Sequence, residues 1–377
     1  MTVVVLMGTY AIAGAGGDTG RAGPSSPAPA PAAAPAPPAA PAPAPTDVLW
    51  QDNAGVSHLF FHSLIVDPER AFADRHSAAG YHDYMITQAQ FARILDQLYA
   101  RNYVLVGPHQ LASVAADGTV ATKPLRLPAG KKPLVLSVDD VSYYEYMAGD
   151  GFADNLVVAD DGRVRNTYVD ANGTTHVGSY DVMPMVDDFV REHPDFSHDG
   201  ARGIIGLTGY NGVLGYRTSP SVYGGRNPHL AADVDTATRV ADALKGEGWE
   251  FASHSWGHIN FTTSGLGDIE RDTRLWKAEV QPIVGPTDLL IYPFGADISG
   301  LPAYSGPKYD YLRAQGFAYY FTIDASRTAW GQVGRDYLRE ARINIDGISL
   351  AAAMRGRPVL RTFFDPASVA EGAGPTP

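Results

Sequence analysis

KPLVLSVDD, residues 132–140, is a short apolar run closed by two adjacent carboxylates, Asp139 and Asp140. Such a run reads as a buried strand, which places both carboxylates at a strand end. If the pattern recurs along the chain with helices between, the strands are parallel and their C-terminal ends share one edge.

The pattern recurs in both directions. SHLFFHSLI (57–65) has a strand's aromatic content, and ITQAQFARILDQLYARNY (86–103) spaces Phe91, Ile94, Leu95 and Leu98 as one helix face, with Thr87 set to cap it. YVLV then reads as a strand. NLVVADDGRVRNTYVDANGTTHVG (155–178) carries two turn signals, Asp161-Gly162 and Asn172-Gly173, between β-rich pieces. It predicts a hairpin or small meander inserted after the Asp-Asp strand, within about residues 150–200. Beyond it, VMPMVDDFVREH reads as a helix, ARGIIGLTG as a strand, AADVDTATRVADALKGEG as a helix and WEFASHS as a strand. GDIERDTRLWKAEVQPIVG (helix), DLLIYPFG (strand), KYDYLRAQGF (helix) and AYYFTID (strand) complete the series. This alternation predicts an α/β fold with parallel strands and helices outside, as a barrel or an open sheet. No Gly-rich phosphate loop follows the early strands, so no nucleotide is expected.

Polar residues cluster just after three strand ends: Asp139-Asp140, His254 with His258, and Pro293-Phe294-Gly295. Adjacent acids are ordinary in solvated loops, and two histidines four apart carry little weight alone. Their shared position is what matters. Two imidazoles and a carboxylate make a three-ligand site for one divalent ion and leave a position for water. Such an ion lowers the water's pKa toward ~7 and polarises a carbonyl, and a second carboxylate that is not a ligand can take the water's proton. The donor set suits Zn²⁺, and also Co²⁺, Ni²⁺ or Mn²⁺. Neighbouring residues on a strand face opposite ways, so both carboxylates reach one pocket only where the strand ends.

The 377-residue chain is 45% apolar, enough for a large core, and its net charge of −12 argues against nucleic acid as a partner. It has no cysteine, which excludes disulfides and thiolate chemistry. Residues 1–22 hold a short apolar run and an Ala-x-Ala at Ala11–Ala13, the form of an export signal without its basic flank. Residues 23–46 are largely alternating Pro and Ala, a semi-rigid spacer. The folded domain is therefore expected over 47–377, outside the cytoplasm, with peripheral attachment to the cell envelope.

LSVDDV, HSWGH and YPFG resemble the first three motifs of the polysaccharide deacetylases, the NodB-homology domain of carbohydrate esterase family four. The resemblance covers roughly residues 57–345 in motif order and spacing. It implies a distorted (β/α) barrel and a metal-dependent hydrolase that removes acetyl groups from an N-acetylated polysaccharide or oligosaccharide. Carried over by position, Asp139 is the general base, and Asp140, His254 and His258 are the metal ligands. Ser255 orients the second histidine or its loop. Tyr292, Pro293, Phe294 and Gly295 form a wall of the sugar groove, with the Phe294 N–H helping to hold the oxyanion.

Two departures stand out. The arginine that pairs with the catalytic Asp in many relatives is replaced by Ile291, and Arg217 in GYNGVLGYRTSP (209–220) is the candidate substitute. No histidine follows His258, so the family's C-terminal acid is missing. LFFH, ending at His62, has the same form as that motif. Some exopolysaccharide deacetylases of the family are circularly permuted, which would make His62 the acid. Val141 stands where relatives carry Gly, and the tyrosines beyond it, Tyr143, Tyr144 and Tyr146, either stack on sugar rings or pack beneath the insertion. These departures keep two rivals open: a surface glycan-binding protein of the same fold with little or no turnover, and a hydrolase of small amides.

Overall fold

The computed structural model describes residues 46–73 and 76–370; the expected export segment and nearly all of the Pro/Ala spacer lie outside them. Seven parallel strands follow in chain order: β1 (Ser57–Phe61), β2 (Lys132–Val138), β3 (Gly203–Leu207), β4 (Trp249–Ser253), β5 (Leu289–Ile291), β6 (Tyr319–Ile323) and β7 (Leu338–Asn344). Each pairs with the next, and β7 pairs with β1, so the sheet closes into a barrel. The closing ladder is short, with Ile343 opposite Leu59 and Asn344 opposite Phe60. The expected (β/α) barrel is thus present, with small antiparallel sheets added to it.

Helices fill most crossovers. α1 (Gln88–Ala100) begins at Thr87, whose hydroxyl takes the Gln90 N–H while the Gln90 side chain returns to the Thr87 N–H. It buries Phe91, Ile94, Leu95 and Leu98 against the barrel's outer face. α2 (Val182–Glu192), α3 (Leu230–Glu247), α4 (Leu266–Glu279) and α5 (Pro307–Ala314) follow in turn. α4 stops where Pro282 interrupts the one long helix the sequence suggested, and a single turn, Gln281–Val284, continues it. YVLV forms a strand, Tyr103–Leu105, that pairs with the start of β2 off the barrel's path. The insertion is a three-stranded meander, Asn155–Val158, Val164–Val169 and Thr175–Gly178. Gly162 and Gly173 sit at φ 78° and 77° in its two turns, as the turn signals require.

Side chains alternate along each strand, so one set points into the barrel. Val135, Ile204, Ala252, Leu289, Ile291, Tyr319, Phe321 and Leu338 meet there in one apolar cluster. The same inward set carries Asp139, Ser137, His58, Glu340 and Arg342, all buried. The barrel therefore has an apolar base and a polar upper interior. β7 went unread in the sequence because LREARIN carries three charges in seven residues and reads as a solvated surface.

Candidate metal and catalytic site

Asp139 continues the β2 ladder, its N–H donating to the Phe61 carbonyl at 2.9 Å. The next residue leaves the strand abruptly: Asp140 has φ 61°. That left-handed turn brings the second carboxylate round to the same pocket as the first. Two strands round the barrel, His254 follows β4 and its N–H donates to the Leu207 carbonyl at 2.9 Å. HSWGH is a loop rather than a helix face, with Ser255 at φ 63° and His258 at φ 52°. Asp272 of α4 pins it, accepting the N–H groups of Trp256 at 2.9 Å and Gly257 at 2.7 Å. Ser255 Oγ closes it by accepting the Ile259 N–H at 2.9 Å. Gly209 admits the loop, since a Cβ there would lie 2.2 Å from the Trp256 ring. Phe294 is also left-handed, at φ 60°. Each such residue costs roughly 1–2 kcal/mol, and four of them crowd one rim, as happens where local strain is held for function.

The donor atoms of Asp140, His254 and His258 lie within 4.8 Å of one another. His254 Nδ1 donates to the Ile291 carbonyl at 3.0 Å, which fixes the tautomer and leaves Nε2 with a lone pair. That Nε2 lies 4.0 Å from Asp140 Oδ1, and His258 Nε2 lies 3.7 Å from Asp140 Oδ2. These gaps are too wide for hydrogen bonds and suit a cation standing ~2.0–2.2 Å from each ligand. Burial pushes His254 below its ordinary pKa, against the pull of Asp139 and Asp140, so it stays neutral as a ligand must. Tyr144 donates to Asp140 Oδ1 at 2.6 Å and contacts Thr208 Oγ1 at 2.9 Å. Burial and the Asp140 charge hold its phenol well above the ordinary range, so it remains a donor. The residues present fit a divalent cation.

Asp139 lies beside that set, its Oδ2 3.8 Å from His254 Nε2, but both of its oxygens are engaged by Arg342. The guanidinium reaches it with Nη1 at 2.6 Å and Nη2 at 2.9 Å, both side chains being buried. Burial alone would raise Asp139, but the Arg342 charge and its two hydrogen bonds outweigh it and hold the carboxyl well below its usual range. The arginine missing at Ile291 is thus supplied by β7, and the expectation for Arg217 is corrected. Arg217 instead donates to the carbonyls of Ser142, Tyr143 and Asn211, tying two loops together.

Other sequence assignments also change. Tyr292 is fully buried among Phe261, Tyr304 and Tyr320, on the outward side of β5, so it is no groove wall. Pro293 is buried, and Gly295 packs against Ile323. Of that motif only Phe294 borders the site, with 64% of its surface exposed. Tyr143 is buried beneath the meander, accepting from Asn166 at 2.9 Å, and offers nothing to a sugar. His62 does reach the site. It lines the same cavity, of about 780 Å³, as Asp139, Asp140, His254 and His258. Its imidazole meets the Phe60 ring edge and has no hydrogen bond or ion pair among the described residues. Tyr81, Tyr84, Tyr146 and Ile348 supply more of the wall, and no Lys or Arg lines it among the described residues. Asp272 and Arg342 escaped the sequence reading altogether; both lie on elements whose charge suggested exposure.

The geometry defines a class: an α/β barrel whose strand ends gather an Asp-His-His triad able to hold a cation beside an arginine-clamped carboxylate. No protein-family model matches the sequence, and no curated protein matches it. The structure is similar to the deacetylase PplD of Streptococcus pyogenes, solved in complex with acetate, at 13% identity and a TM-score of 0.45, over 88% of this chain and 100% of that one. It is similar also to a polysaccharide deacetylase from Bacillus cereus, at 11% identity and a TM-score of 0.39, over 80% of this chain and 69% of that one.

Proposed function

We propose that the protein is a metal-dependent hydrolase that removes N-acetyl groups from an extracytoplasmic polysaccharide. The observation that carries this reading is the division of labour between two adjacent carboxylates. Asp140 stands between two imidazole nitrogens with a metal-ligand spacing, while both oxygens of Asp139 accept from Arg342. Asp140, His254 and His258 would hold a divalent ion, which would polarise the acetamide carbonyl and acidify a water. Asp139, kept ionised by Arg342, takes the proton of the attacking water. His62 protonates the leaving amine, which departs as the C–N bond breaks and acetate is released. The Phe294 N–H donates to the developing oxyanion. A cavity walled by tyrosines, Phe294 and Ile348 and carrying the carboxylates Asp139, Asp140 and Asp346 favours an uncharged N-acetylated chain over an anionic one.

The test is acetate release from N-acetylglucosamine oligomers by Zn²⁺-loaded protein, run beside a set of small N-acetyl amides. Asp139→Asn should abolish turnover and retain metal, and Asp140→Asn should lose both. His62→Ala should slow deacetylation by about 10²–10⁴ with metal content unchanged. Oligomer binding without acetate release would replace this reading with that of a glycan-binding protein, and release from the small amides alone would replace the substrate class.

A further inference from the structure

Beneath Asp139 the barrel interior holds a second polar layer that the proposed chemistry does not touch. His58 of β1 lies with Nδ1 3.1 Å from Glu340 Oε2 of β7 and Nε2 2.9 Å from Ser137 Oγ of β2. Ser137 Oγ is in turn 3.1 Å from Arg342 Nη1, and Arg342 holds Asp139. All five side chains are buried. Serine, histidine and glutamate stand here in the order of a hydrolytic triad. Ser137 is no nucleophile, however, because it lies outside the cavity lining and its oxygen faces Arg342.

The protons run one way along this line. Burial pushes Glu340 up to about 8, and burial with the Arg342 charge pushes His58 well down. At neutral pH the acid keeps its proton and donates to Nδ1 of a neutral imidazole. His58 Nε2–H then donates to Ser137 Oγ, whose second lone pair accepts from Arg342. The guanidinium needs that hold. Among the described residues its Nε has no hydrogen-bond partner, and apart from Ser137 the guanidinium is held by Asp139 and by the Phe60 ring, 4.1 Å from Cζ.

We propose that His58 and Glu340 are positioning residues. Through Ser137 they hold the plane of Arg342, and so the direction in which Asp139 faces the cavity. They therefore govern turnover and leave substrate binding alone. The kinetic part of this proposal rests on the deacetylase reading; the structural part does not.

The experiment uses His58→Leu, Glu340→Leu and the conservative Glu340→Gln, whose amide N–H replaces the acid's O–H. In metal-free protein, ¹⁵N NMR follows solvent exchange and rotation of the Arg342 guanidinium. Both leucine variants should speed this exchange on the order of tenfold or more, and Glu340→Gln should keep the wild-type rate. In Zn²⁺-loaded protein the leucine variants should lose kcat by about ten- to a hundredfold, the scale of a misplaced catalytic group. KM and metal content should stay constant, and Glu340→Gln should restore kcat. Unchanged Arg342 exchange in folded leucine variants overturns the proposal, as does a loss carried by KM. If wild-type protein itself turns over no substrate, the deacetylase reading fails, while the exchange measurement still decides this one. Should a leucine variant not fold, Ser137→Ala removes only the shared hydroxyl and gives the same NMR readout.

Discussion

Replacing Arg342 with methionine should destabilise the protein in a way that depends on Asp139 and on pH. Arg342 is fully buried, places two donors on the Asp139 carboxylate at 2.6 and 2.9 Å, and bonds Ser137 at 3.1 Å. Methionine keeps most of the stem and strands the carboxylate in an interior it cannot leave. Breaking a buried pair from one side costs about 3–5 kcal/mol. The assay is chemical unfolding at pH 7 with chelator present, for Arg342→Met, Asp139→Asn and the double variant. The double variant should fall well short of the sum, with a coupling above ~2 kcal/mol, because removing both charges leaves neither uncompensated. The sign with pH follows from Asp139. With Arg342 in place its folded pKa lies below the unfolded value of ~3.9, so it contributes stability above that pH and loses it as pH falls. Without Arg342 burial dominates, the folded pKa rises above ~3.9, and stability is lost as pH rises through it. The gap between wild type and Arg342→Met should therefore be widest near pH 7 and close toward pH 4. Additivity of the two single variants within ~0.5 kcal/mol, or a gap that does not change with pH, would refute the reasoning.

Zn²⁺ added at a hundred times its dissociation constant should stabilise the folded protein by ~2.7 kcal/mol, seen as a raised Tm that chelator reverses and that His258→Ala abolishes. Tyr144→Phe removes the hydrogen bond to Asp140 and nothing apolar, so metal affinity should drop about 10–100-fold in a competitive titration while the Tm of metal-free protein changes little. Glu340, raised by burial from 4.5 to about 8, contributes stability at low pH that is lost as pH climbs through 8, at about 1.4 kcal/mol per pKa unit shifted. Glu340→Gln should thus gain stability over wild type steadily between pH 5 and 8, and parallel stability profiles for the two proteins would contradict that assignment.

What the sequence conveyed and what it withheld divide along physical lines. Strands ending in Asp139-Asp140 and His254 were legible because a buried parallel strand is an uninterrupted apolar run, and its end is marked by the first polar residue. α1 was legible from its cap and its 3.6-residue spacing. Backbone that departs from these periods was not. The left-handed turns at Asp140, His258 and Phe294 decide which side chains share the pocket, and nothing in residue type announces them. Tyr292 was misplaced for this reason: it sits in a motif that borders the site, but its backbone directs it outward, and the strained Phe294 takes its place. β7 was withheld by a different effect. A barrel interior that carries polar and charged groups inverts the rule that charge means surface, and Glu340 and Arg342 became readable only once their partners stood opposite.

Closure by β7 has a consequence for how the chain is made. Asp139 and His58 are held by residues 203 and 282 positions further on. Until β7 emerges, β1 and β6 each have an open flank, and the Asp139 carboxylate, meant for a dry interior, has no counter-charge there. Such distant pairing slows folding, and exposed strand edges invite association while it waits. The last strand thus works as a completion check. A chain cut short before Leu338 could build most of its helices and six of its strands, yet it would lack the cation that lets Asp139 go inside. Incomplete copies should accordingly remain open and sensitive to protease.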